Sequence, residues 1–296
     1  MLTLVAITAL DDPRVSHYQR LADPAQLVER GLFVAEGRLV VRQLLDLRHW
    51  QLHSIVLTPA AAENLADVLP LADAPVYVVE QALMNAIAGF NIHRGCLALA
   101  HRRKVEATPS VRLPGPVEAT PSVGLPGPVE ATPSLGLPVL DRIATGPLSR
   151  VLVMEGVSNP DNVGGLFRTA AAFGADLVVL GPSCGDPLYR KAIRTSMAAT
   201  LVVPFVTAPQ WPGAITDLRT DGFTVAALTP HPDAVPLRDV ARHPKIALMV
   251  GAEGNGLSDA ALAAATLRVR IPMRSAIDSL NVTVSASIAM YHCWQD

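Results

Sequence analysis

Residues 151–180, VLVMEGVSNPDNVGGLFRTAAAFGADLVVL, switch between two periodicities in a way that few architectures accommodate. The apolar run Val151-Leu152-Val153-Met154 is short, unbroken and closed by Glu155-Gly156, the pattern of a strand covered on both faces. Turn formers from Ser158 to Asn162 follow. From Gly164 the spacing of Leu166, Phe167, Ala170, Ala171 and Phe173 becomes that of a helix, which stops at Gly174. Leu177 to Leu180 is a second apolar run. Strand, helix and strand in this order predict a parallel sheet, because parallel neighbours require a crossover between them. Arg168 is the outlier, a guanidinium on an otherwise apolar helix just behind a loop of amide side chains and paired glycines. Open amides at a helix start favour an anion such as a phosphate. Turn chemistry alone accounts for the Asn and Gly equally well.

The remainder of the chain sets limits on this unit. At 296 residues there is room for two domains and a buried core. No apolar run approaches the length of a membrane span. The opening MLTLVAITAL lacks a basic leader and soon reaches Asp11 and Asp12, which argues against a signal peptide. Cys96, Cys184 and Cys293 lie far apart with no metal spacing, so a reducing, cytoplasmic setting is expected. Net charge is −2, with ten basic and ten acidic side chains in residues 1–104 and twelve of each in 148–296. A nucleic-acid partner must therefore use a local patch rather than a global field.

Residues 1–104 read as a small α/β domain. A run at Leu32-Phe33-Val34, a helix over Arg38–Leu47, strands at Ser54–Leu57, Val76–Val79 and Cys96–Ala100, and a helix over Ala60–Val68 are expected. His49 and His53 are four apart and fit one helical face, but with no third ligand they read as surface residues, and no metal is expected. His101-Arg102-Arg103-Lys104 reads equally as a phosphate contact or a solvated strand end. Residues 105–138 repeat with a period of twelve (VEATPSVRLPGP, VEATPSVGLPGP, VEATPSLGLP), too short and proline-rich for a solenoid unit. They predict an extended linker over 105–147. The second domain, 148–296, holds the unit above. It continues through the basic cluster Arg190, Lys191 and Arg194, an apolar run Thr200–Val206, strands at Phe223–Leu228 and Ile246–Val250, and a last helix over Val282–Trp294. The cluster reads as an RNA or phosphate patch or as an ordinary charged face. Ile246–Val250 hands over to Gly251-Ala252-Glu253-Gly254-Asn255-Gly256, whose spacing is neither a dinucleotide fingerprint nor a Walker loop. Such a loop offers free amides and close approach to a ligand, with Glu253 as an acceptor. Ser279 or Asn281 suits the cap of the last helix.

Three stretches, in this order over about 130 residues, together resemble the SpoU (TrmH) branch of the SPOUT methyltransferases. They are Asn159-Pro160-Asp161-Asn162-Val163-Gly164 through Arg168, Gly251 through Leu257, and Ile271-Pro272-Met273 followed by Ser279-Leu280-Asn281-Val282. Phe33-Val34-Ala35-Glu36-Gly37 resembles, more loosely, the substrate-binding domain that many members carry. The resemblance implies an α/β fold with a parallel sheet tied in a deep trefoil knot, beside a small N-terminal RNA-binding domain. It also implies S-adenosylmethionine as cofactor and a homodimer whose sites borrow from both subunits. Carried over residue by residue, Gly251, Ile271 and Leu280 hold the cofactor through backbone, helped by Glu253, Met273 and Asn281. Asn162, Arg168, Glu253, Ser279 and Asn281 match the active-site positions. The implied reaction is methylation of a ribose 2′-hydroxyl, with ribosomal RNA favoured over transfer RNA as substrate. A non-catalytic RNA-binding or ribosome-assembly factor on the same fold is the alternative. Two departures stand out: Met197-Ala198-Ala199 where the family often places a glycine, and Thr283 where serine is usual.

Overall fold

The computed structural model describes residues 3–19, 21, 24–102, 149–274 and 279–294. The proline-rich repeat, Arg103 and Lys104 lie outside them. The described chain forms two sheets, of five and seven strands.

The first sheet runs β1 (Leu4–Ala6), β4 (Val76–Val78), β3 (Leu52–Leu57), β5 (Cys96–His101), β2 (Leu32–Glu36). Side chains alternate across it, as strand geometry requires. Phe33, Ala35, Ile55 and Leu57 face α2 (Arg38–Leu47) and α3 (Pro59–Asn64). Val34 and Val56 face a 3₁₀ turn (Pro13–Tyr18) and α4 (Gln81–Ala88); α1 (Pro24–Glu29) packs on β2. Helix α2 has the expected bounds because Val40, Val41, Leu44 and Leu45 form one buried stripe. α3 is shorter than expected. Asn64 turns its side-chain amide back onto the Ala60 carbonyl at 2.6 Å, and a 3₁₀ turn around Pro70 replaces the last helical turns. His49 follows α2 whereas His53 lies on β3, at a shift of register between Leu52 and Ser54, so the two do not share a helix face.

The second sheet is wholly parallel, in the order β10 (Val235–Pro236), β12 (Leu267–Arg270), β9 (Thr224–Leu228), β11 (Ile246–Val250), β6 (Arg150–Met154), β7 (Leu177–Leu180), β8 (Phe205–Thr207). Val151 to Met154 and Ala247 to Met249 are fully buried, which explains their unbroken apolar runs. Leu152 and Met154 meet α5 (Pro160–Ala172) and α10 (Val282–Trp294) on one face. Val151 and Val153 meet α8 (Gly213–Thr220) and α9 (Asp259–Ala264) on the other. The Thr200–Val206 run divides at Pro204 into the end of α7 (Ala199–Val202) and β8.

The two sheets share a core. Leu188, Leu201, Ile193 of α6 (Arg190–Thr195) and Ala198 pack with Phe33, Trp50 and Ile55 of the first domain. Polar links close the seam: Trp50 Nε1 donates to the Leu201 carbonyl at 3.0 Å, and Arg102 pairs with Asp186 at 2.6 Å. Arg102 is thus a domain clasp rather than a solvated strand end. No helix among the described residues is long and apolar enough to cross a membrane.

Candidate active site

A cavity of about 360 Å3 opens where β9, β11 and β12 end. Ligands of open parallel sheets sit beyond the carboxyl ends of the strands, where loops leave in different directions. Leu228 to Pro230, Val250 to Gly254 and Ile271 supply three walls, and Ser279 to Val282 the fourth. Gly251, Glu253, Ile271, Met273, Ser279, Leu280 and Asn281, all singled out in the sequence, line it. The lining is largely aliphatic with backbone amides and carbonyls between, suited to a flat heterocycle held by its edge.

The glycine loop after β11 is built by close backbone approach. A Cβ on Gly251 would overlap Gly256 C and Leu257 N, so only glycine lets the loop fold back on itself. The Gly256 amide then bonds to the Ala252 carbonyl at 3.0 Å, with Gly254 and Gly256 at φ +93° and +68°. A buried carboxylate anchors the loop from behind. Glu155, at the end of β6, accepts from Ser258 N at 2.8 Å, Ser258 Oγ at 2.7 Å and Trp211 Nε1 at 2.6 Å. Sequence reading used Glu155 only as the end of a strand. A carboxylate closing a buried run is the signal that it has partners.

Asn162, in the first turn of α5, joins this loop to the last one. Its Nδ2 donates to Glu253 Oε1, and its Oδ1 accepts from Asn281 Nδ2 at 3.0 Å. Asn281 Oδ1 in turn accepts from Thr283 N at 2.9 Å, which makes Asn281 the cap of α10. A backbone donor at one end and a carboxylate at the other fix the direction of both amides. The paired glycines serve packing. A Cβ on Gly165 would lie 2.8 Å from Thr283 Oγ1, and one on Gly164 would lie 2.7 Å from the Ala192 carbonyl. α10 and α6 therefore close in on either side of α5. Arg168 does not line the cavity; it is exposed on α5, with no hydrogen bond or ion pair to a described residue. Of the basic cluster, Arg190 pairs with Glu36 at 2.8 Å and Lys191 with Asp161 at 2.7 Å, so both serve the protein's own packing. Among the described residues no cluster of His, Cys, Asp or Glu is arranged to hold a metal ion.

The sequence pattern of the SpoU rRNA Methylase family matches residues 149–291. An uncharacterized tRNA/rRNA methyltransferase of Mycobacterium bovis is 36% identical over 288 residues, covering 95% of this chain and 88% of that protein. This chain belongs to the SpoU family of RNA methyltransferases. A 23S rRNA (guanosine(2553)-2′-O)-methyltransferase of Bacillus subtilis is 32% identical over 152 residues, 51% of this chain and 60% of that protein. The crystal structure of an AdoMet-bound rRNA methyltransferase from Sinorhizobium meliloti aligns over 98% of this chain and 97% of its own, with a TM-score of 0.73 at 21% identity. That likeness spans both sheets of this SpoU member and shows that the two chains share one α/β fold.

Proposed function

We propose that this SpoU protein methylates a ribose 2′-hydroxyl in RNA, ribosomal RNA before transfer RNA, with S-adenosylmethionine bound in the cavity. The observation that carries the reading is the run Glu253–Asn162–Asn281, which ties the cavity mouth to the helix that bears Arg168. The cofactor fits: the volume is in the range of small-molecule pockets, and the loop behind Gly251 leaves backbone groups open to the cavity. When bound, it supplies a methyl group already activated on a sulfonium. A ribose hydroxyl is a poor nucleophile, so the residues must place it in line and help its proton leave. Arg168 grips the phosphate beside the target ribose with its planar fork, stabilising charge that develops on the oxygen. Asn162 and Asn281 orient the hydroxyl, Ser279 donates or accepts at the cavity rim, and Glu253 sets the charge balance opposite a cationic ligand.

The remaining features follow the same reading. The first domain recruits RNA, the chain between the domains acts as a linker, and the path through β11, β12 and α10 closes as a trefoil knot. Val284, Ile288 and Tyr291 are 47%, 39% and 58% exposed and form one stripe along α10, which supports a homodimer built on that helix. The protein works in the cytosol, in keeping with Cys96, Cys184 and Cys293 being free thiols.

The test is transfer of tritiated methyl from S-adenosylmethionine to total RNA of a strain lacking the protein, followed by mapping of the labelled nucleotide. Label on a ribose of ribosomal RNA is expected. Label on a base would overturn the 2′-hydroxyl assignment, label in transfer RNA alone would overturn the substrate, and cofactor binding without label would leave a non-catalytic factor.

A further inference from the structure

We infer that arginines on both sides of the domain seam, Arg38 and Arg94 on one and Arg194 and Arg168 on the other, form a track that carries RNA phosphates to the cavity mouth. The inference rests on the RNA-methyltransferase reading and names the surface through which the substrate is held.

The seam is organised around one carboxylate. Glu36, at the end of β2, receives Arg190 at 2.8 Å and Arg194 at 4.0 Å, with its own side chain only 13% exposed. Arg190 also lies over the Phe90 ring, 4.2 Å from its centroid, and is fully engaged between the domains. Arg194 is not; its side chain is 54% exposed. The next residue, Gly37, takes φ +97°, and the Arg94 side chain lies across it, with Cδ 3.4 Å from where a Cβ would be. Arg38 follows directly. Arg38 and Arg94 are both exposed, and neither makes an ion pair or side-chain hydrogen bond with a described residue. Two guanidiniums therefore share one carboxylate, while Arg38 and Arg94, beside the neighbouring Gly37, add positive charge that no described acid pairs with.

The excess continues toward the site. α6 carries Arg194 and lies against α5 at Gly164. Asp161 on that flank is held by Lys191 at 2.7 Å and by Thr195 Oγ1 at 3.1 Å, so its charge is already met within the protein. Arg168 lies seven residues beyond Asp161, about two helical turns along the same face. Like charges gathered at one seam repel and contribute nothing to folding, whereas a polyanion laid across them releases counterions and binds. The planar fork of arginine matches phosphate oxygens better than an ammonium does.

The experiment measures binding of a fluorescein-labelled single-stranded RNA oligonucleotide to the full chain across a salt series. It compares wild type with Arg38→Gln/Arg94→Gln, with Arg194→Gln, and with Arg268→Gln on β12 at the far side of the large sheet. S-adenosylmethionine titration of each variant confirms folding. Each lost phosphate contact lowers the slope of log affinity against log salt by about 0.7 on a single strand, so the double variant is expected to lose about 1.4 and Arg194→Gln about 0.7. Arg268→Gln is expected to change neither slope nor affinity. A steep wild-type slope retained in full by the folded seam variants overturns the track alone. RNA binding that does not respond to salt in wild type, with no methyl transfer, overturns both the track and the reading on which it rests.

Discussion

Asn281 donates to Asn162 at 3.0 Å across 119 positions of the chain. With the Glu253 carboxylate on the far side of Asn162, that contact makes one unit of segments following different strands. Asn281 has two duties, since its Oδ1 also caps α10 through Thr283 N. Asn281→Ser separates them. Serine caps a helix about as well as asparagine, so stability should hold within about 0.5 kcal/mol. Serine is too short to reach Asn162, and methyl transfer should fall roughly tenfold to a hundredfold through misplacement alone. Thermal melts beside single-turnover rates check this; equal losses in both would reduce Asn281 to a cap.

How much of this was legible beforehand differs between the two domains. The bounds of α2 follow from strong helical periodicity and the strands around Val151 and Ile246 from unbroken apolar runs, whereas α10 is apolar on its exposed side as well, at Val284, Ile288 and Tyr291, and shows no such periodicity. Residues lining the cavity were legible through the resemblance of three stretches to SpoU motifs; the close backbone approach that explains glycine at Gly251 shows only in the structure. Contacts distant in sequence were not. The bonds from Arg102 to Asp186 and from Arg190 to Glu36 depend on how two sheets meet, which no local pattern encodes. The basic cluster at Arg190 therefore read as free charge when two of its members are engaged. Met197 and Ala198, where glycine is usual in the family, adopt φ +53° and +71°, a local cost that the core around Ala198 must offset.

Glu155 should couple stability to cofactor binding. Glu155 as a whole is 7% exposed, and its carboxylate accepts from both Ser258 groups and from Trp211. Glu155→Gln keeps the shape but turns an amide donor toward those donors. Hydrogen bonds to a buried charge contribute about 1.5–3 kcal/mol each, so a loss of at least about 2 kcal/mol of stability is expected. The loop from Gly251 to Ser258 should loosen with it and weaken S-adenosylmethionine binding, measured by calorimetry. Unchanged cofactor affinity in a destabilised variant would confine Glu155 to folding.

The first domain should be sensitive to acid. His53 is held below the usual imidazole value of 6.5, first by burial and then by His17 and His101, whose rings lie 4.7 and 5.8 Å away. His17 Nδ1 is itself buried without a hydrogen-bond partner. The unfolded chain takes up a proton near 6.5 while the folded one resists it, so stability rises with pH between the two values. The melting temperature should fall as pH drops through that window and level off below the folded value. His53→Gln should flatten the profile; an unaltered profile would remove His53 as its source.

In the proposed reaction Arg168 is the phosphate grip. It stands exposed on α5, six residues past Asn162, without a partner among the described residues, as a group reserved for an incoming anion should. If its role is a bidentate grip on phosphate, lysine cannot replace it, because an ammonium is a point charge without the planar fork. Arg168→Lys should leave S-adenosylmethionine affinity unchanged and lower the single-turnover rate by roughly a hundredfold or more, the scale for losing one charge-stabilising donor. A wild-type rate in Arg168→Lys would take the residue out of the mechanism.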